Sequence, residues 1–156
     1  MKTMFETAYE LAKEVHKNQT RWDKKTPYIV HIDAVIDNVK KNNHNYERLD
    51  ILMTVAALHD AHEDHRHVTF EHIMDVLLES GADPDHVFEV MVALDAITEK
   101  ETKDEESYLD YILRIKKSPI ATLVKIADIQ HNMSDLKRGS MKEKYLLALY
   151  ILQLTA

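Results

Sequence analysis

The sequence predicts an all-α fold, a single-domain helical bundle of about eight helices spanning residues 1–156. Three observations lead there. Only two glycines and three prolines interrupt the chain. Apolar residues recur at three- and four-residue spacing along most of it, the period of an amphipathic helix. Capping residues then divide these apolar stripes into segments of ordinary helix length.

Phe5, Ala8, Leu11, Ala12 and Val15 define the first helix, and Ile32, Val35, Ile36 and Val39 the second. A third runs from Ile51 to about Asp64. Thr69 caps a fourth, which runs to about Ser80 and is ended by Gly81. Asp83-Pro84 places an N-cap residue before a proline at the first helical position and opens a fifth helix through Val87, Val90, Met91, Leu94 and Ile97. The charged stretch 99–106 reads as a solvated, mobile loop. Tyr108, Tyr111, Ile112 and Ile115 mark a sixth helix, and Ser118-Pro119 starts a seventh containing Leu123, Val124 and Ala127. Ser140-Met-Lys-Glu143 forms a capping box for the last, from Met141 to about Leu154.

A chain of 156 residues is long enough for one substantial core and short for two. Its formal net charge of -7 argues against broad binding to nucleic-acid phosphates, so an anionic ligand must be met locally by a metal or a few basic side chains. There is no cysteine, which excludes disulfides, thiolate zinc sites and a cysteine nucleophile. The N-terminal segment carries charge in every turn, and no apolar run reaches membrane-spanning length. A cytoplasmic protein is the expectation, with no membrane partner and no prediction of oligomeric state.

The third helix changes character at its end, in "ALHDAHED". At about 100° per residue, Leu52, Val55, Ala56, His59 and Glu63 share a face, with Asp60 and Asp64 beside it. Carboxylates aimed inward together are costly unless a wet cleft or a cation receives them. Other metal-competent residues stand at His31, after "TPYIV", and at Asp128, in "LVKIADIQHNM". Imidazole and carboxylate ligands suit manganese, iron, zinc or magnesium. Arg21, Lys24, Lys25 and Lys125 are candidates to hold phosphate, although solvent-exposed charge is an equal reading for the three lysines. His62 points away from Glu63 and reads as structural, while His65, His67, His72 and His86 carry no spacing argument.

A histidine, a later His-Asp pair and a still later aspartate on three helical segments resemble the HD-domain metal-dependent phosphohydrolases. "TPYIVH", "AALHDAHEDH", "VKIADIQHNM" and "KYLLAL" resemble more narrowly the hydrolase half of the RelA/SpoT family, over residues 4–150. That resemblance implies that His31, His59, Asp60 and Asp128 surround one divalent ion, Mn2+ or another, and that Glu63 and Asp64 serve catalysis. It also implies that Arg21 and Asn132 contact the substrate, ppGpp or pppGpp, whose 3'-pyrophosphate is removed; Lys25 is added as a substrate contact on its charge. Nothing like the synthetase half follows, as in a stand-alone alarmone hydrolase. The chain departs from the family at His31-Ile32, where His-Pro is usual. Two alternatives are an HD phosphohydrolase acting on another nucleotide, and a metal- or alarmone-binding regulator without turnover.

Overall fold

The computed structural model describes residues 2–102, 104–135 and 141–154. Among them lie nine helical segments and no strand, only an isolated antiparallel bridge between Thr20 and Pro27. In chain order these are α1 (Met4–Val15), α2 (Ile29–Asn42), α3 (Leu49–Leu58), α4 (Ala61–Asp64), α5 (Phe70–Glu79), α6 (Pro84–Ile97), α7 (Tyr108–Lys116), α8 (Pro119–Ser134) and α9 (Lys142–Gln153). The extra segment arises because the third predicted helix breaks at His59-Asp60 into α3 and the single turn α4.

Helix α3 is the centre of the bundle, with α1, α2, α6 and α8 packed around it. Ile51, Leu52, Thr54, Val55, Ala56, Ala57 and Leu58 are all buried. The sequence suggested an apolar stripe on this helix. From Thr54 to Leu58 it is instead buried on every side, because neighbouring helices surround it there. Thr54 is accommodated by donating its hydroxyl to the Asp50 carbonyl at 2.7 Å. Small residues on facing helices, Ala8 and Ala12 on α1 and Ala56 and Ala57 on α3, permit close approach and are fully buried. Truncating a large member of this core such as Leu58 would cost about 2–5 kcal/mol. Around this centre, α5 lies on α6 and α1, and α7 and α9 lie on α8 and on each other.

The predicted boundaries have visible causes. Thr69, Asp83 and Ser118 each accept a backbone N–H at a helix start, and Ser107 does so for α7. Each such cap contributes about 1 kcal/mol. Gly81 follows α5 with φ of 90°, a conformation that a side chain resists. The Ser140 cap falls outside the described residues. No described helix is long and apolar enough to cross a membrane.

The 99–106 stretch is anchored at both ends rather than merely solvated. Glu106 pairs with Arg114 at 2.8 Å. Arg114 also donates to the carbonyls of Asp95, Ala96 and Thr98, closing the C-terminal end of α6. At the other end, the Glu99 backbone N–H donates to Glu63.

Candidate metal centre

The break at His59-Asp60 is what makes the site. Adjacent residues on a regular helix point about 100° apart. Here Asp60 adopts φ -105° and ψ -2° between α3 and α4, which brings its carboxylate to 3.0 Å from His59 Nε2. Helix α2 delivers His31 and α8 delivers Asp128 to the same point. All four residues are buried, and one ligand atom from each lies within 4.8 Å of the others.

The separations fit one ion. His31 Nε2 is 2.8 Å from Asp128 Oδ1 and 3.5 Å from Asp60 Oδ2, while His59 Nε2 is 3.3 Å from Asp128 Oδ1. Neighbouring ligands on a cation with bonds of about 2.1 Å stand roughly 3.0 Å apart in an octahedron and 3.4 Å in a tetrahedron. The donor set itself, two imidazole nitrogens and two carboxylates, is that of a borderline or hard divalent metal.

Surrounding groups orient each ligand. His59 Nδ1 lies 2.7 Å from the Ala56 carbonyl and must donate to it, which leaves the Nε2 lone pair for the centre. His31 Nδ1 lies 2.7 Å from His131 Nδ1, so one of the two donates. The Tyr28 hydroxyl donates to Asp60 Oδ2 at 2.5 Å. Asp128 accepts from Lys125 Nζ at 2.9 Å through Oδ2 and from Asn132 Nδ2 at 3.2 Å through Oδ1.

Electrostatics follow from this crowding. Burial alone would lower the pKa of His59 and of His31, but Asp60 and Asp128 outweigh it and hold both above the usual histidine range. Burial alone would raise Asp60 and Asp128. His59 draws the first well below the usual carboxylate range, and Lys125 does the same for the second. In the metal-free protein the two imidazoles thus hold a proton more tightly than usual, and a cation would compete with it. Lys125 is not surface charge: its side chain is only 13% exposed where it lies over the Tyr111 ring, and Asp128 keeps its ammonium protonated. A divalent ion together with Lys125 would balance the charges of Asp60, Asp64 and Asp128.

A second acidic group shares Asp60 with the first: Asp60, Glu63 and Asp64 also converge within 4.8 Å. Glu63 Oε1 accepts the Glu99 N–H at 2.7 Å. Burial, and then the charge of Asp60, push its carboxyl up to about 7. Asp64 opens to solvent on one side, yet lost hydration on the other side and the neighbouring Asp60 raise its carboxyl too.

Of the predicted substrate contacts, the structure brings two to this cluster. The loop between α1 and α2 folds back through hydrogen bonds from Arg21 N to Thr26 O and from Tyr28 N to Gln19 O. Arg21 then reaches α8, donating to Asn132 Oδ1 at 2.9 Å and to both oxygens of Asp135. Lys25 is exposed at the far end of that loop, whose turn is set by Asp23. No hydrogen bond or ion pair among the described residues joins its side chain to the cluster. His62 is structural as expected, bonded to the Val68 carbonyl at 2.8 Å and against the Phe70 ring.

Sequence reasoning missed Tyr28, His131 and the buried role of Lys125. Each had a signal, since Tyr28 precedes His31 by three residues and Lys125 and His131 flank Asp128 by three. Gln19, which reaches Asp64 from the segment between α1 and α2, had none.

In comparison with known proteins, no protein-family model matches the chain and no curated protein matches it.

Proposed function

We propose that this chain is a metal-dependent phosphohydrolase whose substrate is ppGpp or pppGpp, cleaved at the 3' position. The observation that carries the first half is the pairing of a buried four-ligand centre with a carboxylate pair that shares its Asp60. A binding protein has no need for Glu63 and Asp64 crowded beside Asp60, an arrangement that raises both carboxyls and so costs stability. The alarmone half rests on the sequence resemblance, above all "HDAHED" and "KIADIQHNM".

A divalent ion held by His31, His59, Asp60 and Asp128 would supply Lewis acidity toward phosphoryl oxygens and a more acidic water. The protein's own groups do the rest. Glu63 and Asp64, which converge on Asp60, would take a proton from the attacking water and return one to the leaving 3'-oxygen. Arg21 and Asn132, already joined to each other, present a guanidinium and an amide on the α8 side of the centre. The bond that breaks joins the ribose 3'-oxygen to phosphorus, and water adds across it to give GDP or GTP and pyrophosphate.

Incubating the Mn2+-loaded protein with ppGpp, pppGpp, GTP, dATP and NADPH and identifying products tests both halves. The reading predicts rapid release of pyrophosphate from the two alarmones and far slower attack on the others. Equal cleavage of GTP or dATP would replace the alarmone with another nucleotide. No turnover of any member would leave a metal-binding regulator.

A further inference from the structure

Asp64 is gripped from behind by a group outside the ligand set. Gln19 Nε2 donates to Asp64 Oδ2 at 3.0 Å, across 45 residues of chain. The backbone of Gln19 is tied on both sides, its N–H to the His16 carbonyl at 3.0 Å and its carbonyl to the Tyr28 N–H at 2.9 Å. Its side-chain oxygen meets two imidazoles, His16 Nδ1 at 2.6 Å and His65 Nε2 at 2.7 Å. His16 is buried, and its ring packs against both Tyr28 and His65.

With Asp64 ionised, this geometry admits one arrangement of donors. With its NH2 toward the Asp64 carboxylate, Gln19 turns its oxygen to the histidines, and both must then donate. Reversing the amide would set its oxygen against a carboxylate oxygen and its NH2 against the two rings. His16 therefore carries its proton on Nδ1 and His65 on Nε2. Among the described residues no partner reaches His16 Nε2, which in this arrangement is a lone pair, and a buried acceptor without a partner is better tolerated than an orphaned N–H.

We propose that Gln19 is a positioning residue, its amide orientation locked by His16 and His65 so that one oxygen of Asp64 is held and the other is presented to the reacting water. The effect on turnover rests on the proposed hydrolase reading; the donor arrangement does not.

Two variants separate positioning from packing. Gln19→Glu keeps an oxygen for both histidines but faces Asp64 with a second acceptor. Gln19→Leu removes both functions. Each is loaded with Mn2+ and assayed with ppGpp, with metal content measured in parallel. We expect one ion per chain in both, KM within about threefold of wild type, and kcat lower by about 10- to 100-fold, as for a catalytic group displaced by a fraction of an ångström. Wild-type kcat in either variant would overturn the proposal. An activity-independent arm reads the tautomers by imidazole 15N shifts. Wild type should show His16 protonated on Nδ1 and His65 on Nε2, and Gln19→Leu should release His16 to the Nε2–H form. A wild-type His16 protonated on Nε2 would overturn the clamp even if no nucleotide is turned over, an outcome that by itself refutes only the hydrolase reading.

Discussion

Replacing Asp128 by alanine isolates the energetics of the centre. Asp128 is 3% exposed and bonds to Lys125, Asn132 and both histidines. Removing one partner of a buried ion pair costs about 3–5 kcal/mol because the other charge stays buried alone. For a chain of this length each kcal/mol lowers Tm by about 2–4 °C, so Asp128→Ala should melt about 6–20 °C below wild type. The comparison is made in EDTA at pH 7 by calorimetry, so that metal stabilisation does not enter. The double variant Asp128→Ala/Lys125→Met should recover a large part of the loss, since an apolar replacement of a whole buried pair is often neutral. A single variant within about 2 °C of wild type, or a double variant less stable than the single, would refute the argument that Lys125 is a buried counter-charge.

Four further outcomes follow from the same geometry. Glu63→Gln and Asp64→Asn should keep the metal, as measured by elemental analysis, and lose about 10²- to 10⁴-fold in rate. Because the Glu63 carboxyl is raised to about 7, its penalty is absent below the ordinary value of 4.5 and full above 7, so Glu63→Gln in EDTA should be more stable than wild type by about 3 kcal/mol at pH 8 and unchanged at pH 4. Raised His31 and His59 stabilise the metal-free fold below about pH 6.5, and this contribution is lost as pH rises through their folded values. The Tm increment from added Mn2+ should therefore grow from pH 6 to pH 8, with proton release seen by calorimetry in buffers of different ionisation enthalpy; a constant increment would contradict displacement of histidine protons. Arg21→Ala should retain the metal and raise KM for ppGpp, and unchanged KM would remove Arg21 from substrate binding.

Much of the fold was legible because it is carried by local signals. Thr69, Gly81, Asp83-Pro84 and Ser118-Pro119 set helix ends through contacts within a few residues. The convergence of His31, His59, Asp60 and Asp128 was legible because their residue types and order are distinctive. The break at His59-Asp60 was not legible, since the helical period of Leu52, Val55, Ala56, His59 and Glu63 runs through it and only tertiary convergence on the site reveals it. The role of Lys125 was hidden for a similar reason. A lysine reads as surface until Asp128 and the Tyr111 ring are seen around it. Gln19 is joined to Asp64 by tertiary structure alone.

Everything proposed for the site depends on a single divalent ion bound by His31, His59, Asp60 and Asp128. Anomalous diffraction at the manganese edge from crystals grown with Mn2+ tests it directly. The account predicts one strong peak within roughly 2.0–2.4 Å of His31 Nε2, His59 Nε2, Asp60 Oδ2 and Asp128 Oδ1. A peak placed elsewhere, or none at those four atoms with Mn2+ in excess, would contradict it.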